Sequence, residues 1–193
     1  MKVAVVKYNA GNIRSVAFAL ERLNIDFSIT DSIEELESAD KIIFPGVGEA
    51  SSTMRYLKDI KLDHVIKNLK QPVLGICLGM QLMCKHSEEN NTPCLGIFDE
   101  TVRLFKSETL KVPHMGWNSL ENVRDWLPSE LEDMYLYYVH SYYVPLSLHT
   151  VAETNYDVTF SAALKKDNFY AVQFHPEKSA KAGVIVLESF LNL

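Results

Sequence analysis

Residues 73–83 read V-L-G-I-C-L-G-M-Q-L-M, an apolar strand-like run that passes through a glycine-flanked cysteine into an apolar helix-like run. Gly75-Ile76-Cys77-Leu78-Gly79 is the G-x-nucleophile-x-G pattern, in which small flanking residues allow a sharp strand-to-helix turn that lifts the nucleophile out of a sheet. At the start of the helix the unpaired N–H groups and the positive dipole end favour thiolate over thiol, and the same groups can hold a developing oxyanion. Taken alone, the pentapeptide reads equally well as a glycine-flanked core cysteine.

Upstream of this elbow, short β-branched runs alternate with helical patterns. Lys2 to Val6 is followed by a helix over Asn12 to Leu23, Phe27 to Thr30 and Lys41 to Phe44 are strands, and helical segments run from about Ala50 to Leu69. Behind the strand at Val73 to Ile76, a helix is predicted over Leu78 to His86. Strands and helices in this order predict a mostly parallel central sheet with flanking crossover helices, and in such α/β sheets function gathers at the carboxyl ends of the strands. Downstream, Thr101 to Phe105, Leu136 to Val144, Val151 to Thr154, Phe160 to Lys165 and Phe169 to Phe174 are strand-like with little helix between them, and are expected as antiparallel strands added to the first sheet. A-K-A-G-V-I-V-L-E-S-F-L-N-L closes the chain as an amphipathic helix despite Gly183.

The 193 residues, 47% of them apolar, predict one domain over residues 1–193. A net charge of −6 without a Lys/Arg-rich run argues against nucleic acid or an anionic membrane as partner. Apolar stretches of only a few residues predict no membrane span, and Met1-Lys2 leads straight into V-A-V-V with no secretory signal. Cys77, Cys84 and Cys94 are odd in number and lack C-x-x-C spacing, so neither a disulfide framework nor a metal site is predicted, and a cytoplasmic location fits. No cofactor is expected.

A cysteine nucleophile needs a base that can also protonate a leaving amine. Of six histidines, His175 closes the strand-like F-Y-A-V-Q-F and precedes Pro176-Glu177. Proline pushes His175 to an extended conformation, and i, i+2 geometry in an extended segment brings Glu177 to the imidazole. Cys77, His175 and Glu177 then follow the logic of an acyl-transfer triad.

Together, G-I-C-L-G-M-Q at 75–81 and Q-F-H-P-E-K at 173–178 resemble the class I (triad) glutamine amidotransferases. Y-N-A-G-N-I-R-S-V at 8–16, F-P-G-V-G at 44–48, P-H-M-G-W-N at 113–118 and Y-V-H-S-Y-Y-V at 138–144 resemble, within that family, glutaminase subunits that feed ammonia to a separate (β/α)₈-barrel cyclase in histidine biosynthesis. The resemblance covers essentially the whole chain and implies the class I amidotransferase, flavodoxin-like fold. It further implies hydrolysis of glutamine through a γ-glutamyl thioester on Cys77, and a heterodimer with the cyclase.

One departure is Lys7-Tyr8-Asn9, where such subunits usually carry Asp-Tyr-Gly in a loop near the partner. By resemblance, Val47, Gly48 and the Leu78 N–H serve the oxyanion, and Gly46, Gln81, Glu89, Ser141 and Tyr142 hold glutamine, Gln81 at its α-carboxylate or amide and Glu89 at its α-ammonium. Asn12, Trp117 and Lys178 match the cyclase interface. Residue by residue, blander readings stay open: a helix N-cap for Asn12, a core position for Trp117, an exposed loop lysine for Lys178, and a solvated acidic run for Glu89. Three other functions also stay open: a free-standing cysteine hydrolase of γ-glutamyl substrates, the glutaminase subunit of another synthase, and a non-catalytic α/β binding protein.

Overall fold

The computed structural model describes residues 1–8 and 12–193. Asn9 of the Lys7-Tyr8-Asn9 departure, and residues 9–11 of the 8–16 motif, lie outside the described residues. In chain order the first half contains β1 (Val3–Val6), α1 (Ile13–Arg22), β2 (Phe27–Thr30), α2 (Ile33–Ser38), β3 (Lys41–Phe44), α3 (Ala50–Asp59), α4 (Leu62–Asn68), β4 (Val73–Ile76) and α5 (Leu78–Met83). The second half contains β5 (Cys84–Ser87), β6 (Thr92–Pro93), β7 (Phe98–Leu104), β8 (His114–Ser119), β9 (Tyr135–His140), β10 (Tyr142–Tyr143), β11 (Thr150–Tyr156), β12 (Val158–Lys166), β13 (Phe169–Val172) and α6 (Ala180–Leu191).

The central sheet has seven strands in the order β11-β12-β13-β4-β3-β1-β2. The pairs from β2 through β1, β3 and β4 to β13 are all parallel, and β12 and β11 extend the sheet antiparallel. A parallel strand covered by helices must be apolar on both faces. Accordingly Val3 and Val5 face one core with α1 and α6, while Ala4 and Val6 face another with α2, α3, α4 and α5. Period-2 alternation therefore divides β1 between two buried layers.

Three expectations need correction. Phe169–Val172 is not an added antiparallel strand; it lies parallel beside β4, which is what brings residues 173–177 next to the elbow. The runs at 101–105 and 136–144 do not join the first sheet: β7 sits in a four-stranded sheet, β10-β7-β5-β6, and β9 pairs with β8. The helix after the elbow stops at Met83, because Cys84 turns to extended backbone (φ −68°, ψ 173°) and β5 pairs with β7 instead. Pairing across many residues depends on partners that no local pattern encodes, and here it overrides the helical period of residues 78–86.

Candidate active site

The carboxyl ends of three adjacent parallel strands, β3, β4 and β13, present Pro45–Gly48, Cys77 and Gln173–Glu177 to one another. Cys77 is the elbow itself, with φ 53° and ψ −110°, a conformation that an L-residue holds only when its surroundings impose it. Its N–H donates to the Val172 carbonyl at 2.8 Å, and its carbonyl accepts from Gln81 N–H at 3.2 Å. Gly79 makes the turn possible: a Cβ there would stand 2.0 Å from the Phe44 carbonyl oxygen. The Cys77 side chain is 6% exposed, with Sγ 3.9 Å from the Val139 carbonyl oxygen.

His175 is extended (φ −101°, ψ 93°), as its proline neighbour dictates. Glu177 arrives differently from the extended i, i+2 reading, because Pro176–Lys178 forms one 3₁₀ turn that folds the carboxylate back. Nδ1 of His175 lies 2.7 Å from Glu177 Oε1, and Asn12 Nδ2 donates to that same oxygen. Asn12 therefore makes no side-chain cap of α1 and braces Glu177 instead. With Nδ1–H committed to a carboxylate, the tautomer leaves Nε2 as the ring nitrogen free for chemistry. Nε2 is buried and unpaired among the described residues. Burial lowers the His175 pKa, but the neighbouring Cys77 sulfur, and after it Glu177, outweigh burial and push it up to about 10. A charged imidazolium is the form that this shift favours.

A cavity of about 320 Å³ opens over Cys77, lined by Val47, Gly48, Leu78, Gln81, Glu89, Pro113, Val139, His140, Ser141 and Tyr142. Its size suits an amino acid rather than a large cofactor. Glu89 is half-buried on this wall; burial raises its pKa, opposed by the Ala50 N–H donating to Oε2 at 2.7 Å and reinforced by Glu49. Gln81 is not the exposed helix residue that spacing alone permits. It is buried, its Nε2 donating to the Tyr142 carbonyl at 2.8 Å and to Gln173 Oε1 at 2.9 Å. Both amide hydrogens are thus spent, and Gln81 meets a ligand only through Oε1, an acceptor; it cannot donate to an α-carboxylate.

Gly46 does not line the cavity. Its carbonyl accepts the Leu78 N–H at 3.3 Å, so the expected oxyanion donor is engaged, while Gly48 at φ 123° follows in the same loop. Tyr8 closes the loop from below, its buried hydroxyl donating to the Pro45 carbonyl. Burial, and after it the Cys77 charge, push the Tyr8 pKa up.

Asn12, Trp117 and Lys178 do not line the cavity. Trp117 is 53% exposed and not a core residue; it meets Tyr137 edge-on with ring centroids 6.0 Å apart, and Lys178 Nζ lies 5.8 Å from the same tyrosine ring. Sequence reading missed Gln173, which is fully buried with Nε2 3.7 Å from Cys77 Sγ. It also missed His114 and His140, a buried pair 3.0 Å apart, of which His140 lines the cavity. A polar residue inside an apolar strand run was the available signal for Gln173.

The fold, with an elbow cysteine and a His–Glu pair at one sheet end, is that of a class I glutamine amidotransferase. The family described as Glutamine amidotransferase class-I matches residues 4–192. The chain is 59% identical to imidazole glycerol phosphate synthase subunit HisH of Bacteroides fragilis and 60% identical to the subunit of the same name from Bacteroides thetaiotaomicron, each match covering 100% of both chains. A solved glutamine amidotransferase superposes with a TM-score of 0.76 at 18% identity, covering 98% of this chain and 97% of its own. The chain belongs to the class I glutamine amidotransferases and, within them, to the HisH subunits.

Proposed function

We propose that the chain is the glutaminase subunit of an imidazole glycerol phosphate synthase. As a single cytoplasmic amidotransferase domain, it hydrolyses glutamine and supplies ammonia to a separate (β/α)₈-barrel cyclase in histidine biosynthesis. The observation that carries this reading is the strained elbow cysteine beside an imidazole that Glu177 fixes by Nδ1; full-length identity to HisH subunits supports the pathway. The Cys77 thiolate attacks the side-chain amide carbon, and the oxyanion forms against the Leu78 N–H and an N–H of Val47 or Gly48. His175 Nε2–H protonates the departing ammonia, leaving a γ-glutamyl thioester. The neutral imidazole then takes a proton from water as the hydroxyl oxygen attacks the thioester, and glutamate leaves as the C–S bond breaks.

Glu89 receives the α-ammonium, and the Ser141–Tyr142 segment holds the amino-acid end. In the described structure Leu78 N–H is turned to Gly46, so attack requires the Gly46–Gly48 peptides to move and release it. That loop is a two-state element that the cyclase and its ligand can bias. Met115 (65% exposed), Trp117 and Tyr135 (60% exposed) form an outward apolar face on β8 and β9 next to Lys178, and we assign this face to the cyclase. The test is a glutaminase assay in three arms: the chain alone, with purified barrel subunit, and with that subunit plus its nucleotide ligand. Glutamate release should rise at each step. Strong release by the chain alone, unchanged by either addition, would instead mean a free-standing hydrolase.

A further inference from the structure

We propose that Gln173 donates a side-chain N–H hydrogen bond to the Cys77 sulfur and so holds the nucleophile as thiolate, with Gln81 as the positioning residue that fixes the direction of the Gln173 amide. The inference rests on Cys77 being the nucleophile.

An amide has nearly the same shape either way round, so its direction must come from its partners. The Tyr142 backbone oxygen can only accept, which turns Gln81 Nε2 toward it at 2.8 Å. Nε2 of Gln81 carries a second hydrogen, and its other neighbour, at 2.9 Å, is Gln173 Oε1. Gln173 must therefore face Gln81 with its carbonyl and Cys77 Sγ with its NH₂, at 3.7 Å. Reversing Gln173 would set two NH₂ groups against each other and aim a carbonyl lone pair at the thiolate. The anchor is itself pinned: His140 Nδ1 lies 2.7 Å from the same Tyr142 oxygen, and His140 Nε2 lies 3.0 Å from His114 Nδ1. A chain of fixed polarity thus runs from the cavity wall to the sulfur.

A hydrogen bond to an anionic sulfur is stronger than one to a neutral thiol, so this donor favours the thiolate. Gln173 and His175 reach the nucleophile from the same strand end with complementary abilities. His175 can give its proton away, whereas Gln173 cannot. Once His175 has protonated the departing ammonia, Gln173 is the donor that remains, and it steadies the sulfur again when the thioester C–S bond breaks and the thiolate leaves.

The test follows iodoacetamide alkylation of the Cys77 peptide by mass spectrometry across pH, using the full chain assembled with its partner subunit. Fragment ions that place the label on Cys77 exclude signal from Cys84, seven residues on, and from Cys94. Gln173→Met removes the donor at similar length. Gln173→Glu keeps an acceptor for Gln81, so it preserves the packing if the methionine variant fails to fold. In both, the alkylation profile should be displaced to higher pH, by about one pH unit for the methionine variant, the size expected for loss of a charge-assisted hydrogen bond, and further for the glutamate variant, whose carboxylate also repels the thiolate. Gln81→Leu, which frees the Gln173 amide to rotate, should move the profile the same way by less. Profiles that superpose on the unaltered protein, with only lower melting temperatures, would overturn the proposal. The assay needs no glutamine turnover, so an unaltered complex that fails to hydrolyse glutamine while the alkylation shift persists would count against the glutaminase reading alone.

Discussion

His175 is held between two groups that both favour its charged form, and burial opposes them. Its raised pKa sets a direction: the pair's contribution to stability is fully present below the unfolded value of about 6.5 and is lost as pH rises through about 10. The proton needed by departing ammonia disappears over the same upper range, so glutaminase activity should decline as pH climbs through about 10, measured as kcat/KM against pH, which reports the free protein. Cys77→Ala removes the largest raising influence and should lower the His175 pKa, read by NMR titration of the imidazole. Asn12→Ala takes a donor from Glu177 and should reduce kcat by roughly tenfold, about 1.4 kcal/mol, with KM nearly unchanged, as for a charge-assisted bond behind the base. That Cys77, His175 and Glu177 come together was legible because each sits in a short motif whose spacing has a mechanical meaning. Gln173 and the bracing role of Asn12 were not. Residues 81 and 173, or 12 and 177, meet only through the sheet order, and spacing along the chain carries no trace of that.

The elements that bring Cys77, His175 and Glu177 together are constrained by close approach. Gly183 inside α6 looked like a helix weakness, yet a Cβ there would stand 1.8 Å from the Pro176 carbonyl oxygen. The glycine lets α6 press against the turn that carries Glu177. Gly183→Ala should therefore cost about 1–3 kcal/mol in denaturant unfolding and depress activity by displacing Glu177, although alanine is the better helix former. At the cavity wall, burial depresses His114 to about 4 and His140 to about 3. Unfolding lets both bind protons near pH 6.5, so stability should fall as pH drops below that value toward 4. Melting curves between pH 7 and 4 should be steeper for the unaltered protein than for His140→Gln, which starts less stable but loses one depressed histidine. Strand-like runs were legible from β-branched and aromatic content. Which sheet each run joins was not, because β7, β9 and β13 are sorted by long-range partners rather than by their own pattern.

Over the whole molecule, the site and the outward apolar face share the β8–β9 pair. Tyr138 and His140 point inward to the histidine cluster and cavity wall, while Met115, Trp117 and Tyr135 point out. Alternation along a strand pair joins this outward apolar face to the cavity over Cys77. Trp117→Ala should weaken assembly with the barrel subunit by about 2 kcal/mol, seen as a rise in Kd of roughly thirtyfold by calorimetry, with the isolated chain's melting temperature little changed. The mostly parallel sheet and the site at its carboxyl ends were readable from strand–helix order. The sequence left Trp117 undecided between core and surface, because an aromatic in a strand is ordinary in either place. The central claim is that Cys77 is the nucleophile of a glutaminase serving a separate synthase. It is tested most directly by comparing product formation from glutamine and from ammonia by the assembled complex carrying Cys77→Ala: glutamine-dependent synthesis should vanish while ammonia-dependent synthesis persists, and undiminished use of glutamine would contradict the account.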